Sequence, residues 1–214
     1  MADTDDRLTT LAQYGLLDGD AEPQFDSLVG AAAKQLDAPI SMISLVDARR
    51  QWFKARIGLD VSESPIAESF CATAIEQDDL MVVPDATVDE RFRDYPNVTG
   101  GIKIRFYAGA PLKMRNGERI GTICVIDVEP REGLDDEERV ALEDLARRTV
   151  AAFELRRDLR EAGHETVYPS QWLAQASDHL VKAWAALDLV GATAELARLE
   201  QVIVEVDSLR LGQR

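Results

Sequence analysis

The order of elements in this sequence is that of an α+β protein, an antiparallel sheet with helices packed against it. Three features carry the reading. Helical periodicity is confined mainly to the two ends of the chain, β-rich hairpins fill the middle, and one hairpin closes on Asn116-Gly117, the strongest short signal for such a turn. Between the strands lies a polar stretch, residues 85–101, with little period of its own, and loops of that length inside compact domains are often functional.

Leu8, Leu11, Ala12 and Gly15 fall at helical spacing, and Phe25, Leu28, Val29, Ala32 and Leu36 repeat the pattern after Pro23, which suits a first helical turn. From Pro39 the texture changes. Ile40–Val46 is β-rich, Asp47–Arg50 reads as a turn, and Gln51–Ile57 alternates before Gly58, so a hairpin is expected. A loop containing Pro65 leads to a short helix over Ser69–Glu76, then to an apolar strand, Leu80–Val83, stopped by Pro84. Strands over Ile104–Met114 and Arg119–Asp127 form the Asn-Gly hairpin. Asp135 and Glu138 have the spacing of a capping box, and a long helix runs from Glu137 to about Glu161. Ala141, Leu145, Ala152, Leu155 and Leu159 give it a coiled-coil-like seam interrupted by Arg148. After a break at Gly163–Pro169, two heptad-spaced segments around Gly191 read as an antiparallel helical hairpin.

With 214 residues, 46% hydrophobic and 29% charged, the chain can bury one sizeable core, or one core plus a helical appendage. Its formal charge of −15 repels phosphate backbones and anionic lipid surfaces, so neither nucleic acid nor membrane is an expected partner. No run approaches the roughly 18 apolar residues of a membrane span, and the N-terminus lacks the features of a signal peptide, which together predict a cytoplasmic location. The two cysteines, Cys71 and Cys124, cannot make a disulfide framework.

Five strings, in order, carry a family resemblance: Asp47-x-x-Arg50-Gln-Trp-Phe-Lys-Ala-Arg-Ile-Gly-Leu59, Ser69-Phe-Cys-Ala-Thr-Ala-Ile75, Val82-Val-Pro-Asp-Ala-Thr87, Ile104-Arg-Phe-Tyr-Ala-Gly-Ala-Pro-Leu112 and Gly121-Thr-Ile-Cys-Val-Ile-Asp127. Over roughly residues 20–160 the chain resembles a bacterial GAF domain, of the subgroup found ahead of histidine kinases and cyclic-diguanylate enzymes. The resemblance implies about six antiparallel strands flanked by helices, with a ligand cavity between the sheet and the loops and short helix above it. The expected organisation is an N-terminal helix over 1–19, the GAF domain over 20–162 ending in the long helix, and the helical hairpin over 163–214.

A family of this kind does not fix the ligand, so each chemistry is sought in the residues. The Asn-Lys, Phe, Asp-Glu signature of cyclic-nucleotide-binding members is missing: there is no Asn-Lys pair, and Asp89-Glu90 and Phe92 stand in the wrong order. Bilin-binding members carry a cysteine usually followed by His, whereas Ala72 follows Cys71. No histidine precedes residue 164, which argues against haem or iron. No cofactor and no metal site is therefore expected. Free methionine sulfoxide reductases of the family use cysteines in and beside the loop over the cavity, and residues 85–101 contain none. Phe70 and Ala72 flank Cys71, and Ile123 and Val125 flank Cys124, so packing as small hydrophobes stands beside a redox role for both.

The expected ligand contacts are Asp85, Arg91, Phe92 and Tyr95 in the loop and Arg105 and Tyr107 in the strand after it, where an Arg with two aromatics suits a planar anion or carboxylate. For each a structural role is the competing reading: Asp85 as a turn cap, Arg105 as a solvated strand residue, the aromatics as cavity filling. In the tail, Asp178-His179-Leu-Val-Lys182 faintly resembles a histidine phosphotransfer site, with His179 as acceptor. The expectation is a sensory module, not an enzyme, that binds an unidentified small molecule, dimerises through its helices and acts on a downstream signalling protein. The alternatives are an interaction module without ligand, a thiol enzyme and phosphotransfer through the tail.

Overall fold

The computed structural model describes residues 2–161 together with 199, 202 and 203. The chain divides into two compact units, Met1–Asp158 and Leu159–Arg214, and the fold below is that of the first. The expected helical hairpin and His179 lie outside the described residues.

Helices α1 (Ala2–Tyr14) and α2 (Pro23–Gln35) precede strands β1 (Ile40–Val46), β2 (Arg50–Ile57) and β3 (Glu63–Pro65). A 3-10 turn, Ile66–Glu68, leads into α3 (Phe70–Ala74), then β4 (Met81–Val83), α4 (Pro96–Thr99), β5 (Phe106–Lys113), β6 (Arg119–Asp127) and α5 (Asp136–Glu161). The strands form one six-stranded sheet in the order β3-β2-β1-β6-β5-β4, antiparallel throughout. The expected antiparallel α+β architecture is present, and the capping box closes as drawn from sequence. Asp135 N–H donates to Glu138 Oε2 at 2.9 Å and Glu138 N–H to Asp135 Oδ1 at 2.8 Å.

Strand alternation separates the two faces of the sheet. Ile43, Leu45, Phe106, Ala108, Ala110, Ile123 and Val125 point to the side covered by α1, α2 and α5, where Phe25 and Phe153 meet edge-on at 5.0 Å. Met42, Tyr107, Cys124 and Ile126 point to the opposite side, under α3, α4 and the long loop. A β-bulge breaks the alternation in β2: Ser44 pairs with Phe53 and Ile43 with Ala55, so Lys54 is the extra residue. Its side chain turns towards α2, lying 5.5 Å over the Phe25 ring and bonded to Glu22 at 2.6 Å.

Arg131 fastens the other end of the layer. It donates to the carbonyls of Leu36 and Asp37 at 2.7 and 2.8 Å, satisfying the exposed end of α2, and pairs with Asp127 at the end of β6. On α5 the buried stripe is Leu142, Leu145, Ala146, Thr149 and Phe153. The expected seam shares Leu145 with it, but Leu155 and Arg148 are exposed, because a helix lying on a sheet follows a 3.6-residue period and not a heptad. Glu154, next to Phe153 on the same helix, is buried and accepts from the backbone N–H of Arg115 at 3.0 Å.

Candidate functional site

The face opposite the long helices carries a cavity of about 360 Å³. Its floor is Met42 from β1, Gln51 and Phe53 from β2, Tyr107 from β5 and Ile126 from β6. Leu59, Val61 and Ser64 form one wall. Glu68, Phe70 and Cys71 form the second, and the α4 region supplies Pro96, Asn97, Ile102 and Ile104 as the third. The volume lies in the lower part of the range of about 300–1,000 Å³ usual for small-molecule pockets.

Several local choices of residue hold this shape. Gly109 leaves room for the Tyr107 ring, since a Cβ there would stand 2.1 Å from the Tyr107 hydroxyl. Phe70 stacks between Phe92 at 4.2 Å and Tyr107 at 5.2 Å, with Tyr95 packed edge-on against Phe70 and Phe92. Gln51 is buried and makes three side-chain bonds: its Oε1 accepts from Ser44 at 3.2 Å and Ser69 at 2.7 Å, and its Nε2 donates to Ser64 at 2.6 Å. Ser69 in turn caps α3 by accepting from Ala72 N–H at 3.0 Å. One glutamine therefore ties β1, β3 and the start of α3 together beside the cavity.

A model of the GAF domain family matches residues 20–153. The chain belongs to the GAF domain family. Over 149 residues this GAF chain is 45% identical to a cyclic di-GMP phosphodiesterase of Pseudomonas aeruginosa, a match covering 70% of the chain and 25% of that protein. The chain thus spans about a quarter of that relative's length. Among solved structures, the GAF domain of a phosphoenolpyruvate-protein phosphotransferase from Coxiella burnetii superposes with a TM-score of 0.54 at 16% identity, covering 76% of this chain and 97% of that one. A free methionine-R-sulfoxide reductase from Neisseria meningitidis, solved with its substrate, gives 0.53 at 17% identity, covering 71% and 89%. At such identities the likeness is one of fold.

Of the six ligand contacts expected from sequence, only Tyr107 lines the GAF cavity. Phe92 and Tyr95 stand behind Phe70 and complete the aromatic wall. Asp85 is a turn cap, accepting from Thr87 N–H and Oγ1 at 2.9 and 2.7 Å, and those bonds hold its carboxyl below its ordinary value. Arg91 is engaged two residues back, at 2.7 Å from Asp89, and lies 4.8 Å over the Phe92 ring. Arg105 gives one Nη to the carbonyls of Val98, Lys103 and Ile104, which fixes the loop's return into β5. The expected arginine grip on an anion is therefore not assembled, because each arginine finds a nearer local acceptor.

Cys71 and Cys124 are both buried free thiols, with Sγ atoms 3.9 Å apart and no disulfide between them. Burial pushes the Cys124 thiol well above its ordinary value. The contact with the Cys124 thiol, in which either sulfur can donate, and the Tyr107 hydroxyl donating at 3.5 Å lower the Cys71 thiol, so Cys71 is the more acidic of the pair. Two further polar groups escaped the sequence reading. Asn97 lines the cavity and donates through Nδ2 to the Glu68 carbonyl at 2.9 Å. Glu68 lines it as the sole carboxylate there among the described residues. No described residue group has the composition of a metal site, and no described helix is long and apolar enough to cross a membrane.

Proposed function

We propose that this GAF domain is a sensory and regulatory module whose cavity admits a small molecule and whose helices pass the result to a downstream signalling protein. The observation that carries the reading is the cavity itself: about 360 Å³, floored by the central strands and roofed by short elements, α3 and α4, that a ligand can shift. The match to a quarter of a protein named as a cyclic di-GMP phosphodiesterase supports a place for the module in signalling. The module acts by association and not by catalysis, in the cytoplasm and as a homodimer. Val140, Arg148 and Leu155, exposed on α5, are available for the pairing. Sedimentation at high micromolar concentration tests the dimer, and a monomer there removes that part of the proposal.

Thermal shifts against a metabolite mixture test the sensing. A ligand at 100 times its Kd stabilises by about 2.7 kcal/mol, which is about 5–10 °C for a domain of this size. Ile102→Trp, which fills the cavity, abolishes the shift if the cavity is the site. Absence of any shift in the wild type favours an interaction module without ligand.

A second reading rests on Cys71, which lines the cavity beside Cys124. Two thiols so placed can reduce a bound sulfoxide to the thioether, releasing water and closing a disulfide. Turnover of free methionine sulfoxide with a thioredoxin system by the wild type, and not by Cys71→Ser, establishes this enzyme reading; no turnover by either leaves the cysteines as packing.

A further inference from the structure

Building on the reading of the cavity as a ligand site, we propose that the ligand is a small amine, a protonated nitrogen head on an apolar body, and that carboxylates and phosphates are refused. The charges around the cavity set the class. Among the described residues its lining contains no Lys, Arg or His, and its sole charged group is the half-buried Glu68 carboxylate, to which no described residue donates an ion pair. The nearby arginines are committed elsewhere, Arg91 to Asp89 and Arg105 to loop carbonyls. An anion entering here gives up its hydration without meeting a cation and meets a like charge at Glu68.

The uncharged polar groups point the same way. Asn97 is held by its Nδ2 bond to the Glu68 carbonyl, which fixes the other end of the amide as oxygen, and that Oδ1 is buried with no hydrogen-bond partner. Gln51 has its oxygen filled by Ser44 and Ser69 and one amide N–H by Ser64, so it offers an anion one neutral N–H and no positive charge. The part of the lining around Glu68 and Asn97 therefore presents acceptors without matching donors, which is what an ammonium group, a donor three times over, satisfies. The apolar floor of Met42, Phe53 and Ile126 takes the body of the molecule. The net charge of −15 adds a long-range attraction of the same sign.

The test uses matched pairs that differ in the head group: tryptamine with indole-3-acetate, phenethylamine with phenylacetate, and hexylamine with hexanoate, each titrated calorimetrically into the full chain and into Glu68→Gln. The expected result is that at least one amine binds, that its carboxylate twin binds at least tenfold more weakly, and that Glu68→Gln lowers the amine's affinity about tenfold, the effect of losing one charge-assisted hydrogen bond. Glu68 is half-buried and makes no described side-chain bond, so the variant retains the fold, which its thermal midpoint checks. Carboxylates binding as well as amines, or an amine affinity unchanged by Glu68→Gln, overturns the ligand class while leaving a sensor in place. No binding by any of the six compounds overturns the ligand class, and the sensor reading then falls only if the metabolite mixture also gives no shift.

Discussion

Removing the carboxylate of Glu22 is expected to destabilise the domain more than removing the lysine it serves. The β2 bulge buries the Lys54 side chain completely, and its Nζ lies 2.6 Å from Glu22 Oε1, 2.9 Å from the Asp20 carbonyl and 5.5 Å over the Phe25 ring. Truncating one partner of a buried ion pair costs about 3–5 kcal/mol, because the other charge stays buried and uncompensated. Two features reduce that figure: Glu22 is itself 22% exposed, and Lys54 keeps its carbonyl and its ring. Against them, Arg156 also loses Glu22, at 3.1 Å. The expected cost of Glu22→Ala is about 2–3 kcal/mol, read as a lower urea midpoint at unchanged slope, or as a fall in Tm of roughly 4–12 °C for a domain of this size. Lys54→Met places an apolar chain of similar length against Phe25 and is expected to stay within about 1 kcal/mol of the wild type. The reasoning is refuted if Glu22→Ala loses less than about 1 kcal/mol, or if the two variants cost the same.

Ser69→Ala removes the α3 cap and one of the bonds to Gln51, so a loss of about 1–2 kcal/mol in urea unfolding is expected. Gly121→Ala would drive a Cβ to 2.0 Å from the Ser44 carbonyl at the centre of the sheet, and circular dichroism should show a domain that is unfolded or has lost most of its stability. Both cysteines should resist a thiol reagent in the native protein and react fully in denaturant, whereas rapid native labelling of either would contradict their burial. The Arg91 hydrogen bond holds the Asp89 carboxyl below its ordinary value, so its contribution to stability is complete above the unfolded-state pKa of about 3.9 and is lost as pH falls through the lower folded value. Asp89→Asn should accordingly flatten the acid limb of a stability-against-pH curve and leave the neutral region with a constant offset.

The sheet was legible in the sequence because its central strands are long, β-rich and punctuated by strong turns, as at Asn116-Gly117. Glu63–Pro65 was not: it has three residues, ends in proline, and becomes a strand only by pairing with the edge of β2. The single turn Pro96–Thr99 likewise lies below the length at which periodicity can be seen. The site was half legible. Tyr107 sits on the inward face of a strand that alternation identifies, whereas Arg91 and Arg105 look like ligand groups until their neighbours are known, and a sequence does not show that Asp89 or a row of carbonyls reaches them first. Gln51 did leave a signal, a polar residue at an inward position two places before Phe53. Glu68 and Asn97 left none, since only the fold brings them to one cavity.

Methyl NMR of the isoleucines tests the ligand cavity most directly, because the two faces of the sheet provide an internal control. Ile102, Ile104 and Ile126 line the cavity, while Ile43, Ile120 and Ile123 pack in the core on the opposite face. On adding the compound that gives the largest thermal shift, the first three resonances are expected to move in saturable proportion and the second three to stay within the changes seen for the cavity-filled Ile102→Trp protein. Saturable movement of Ile43, Ile120 and Ile123 with Ile104 and Ile126 unmoved would place the ligand elsewhere and contradict the account.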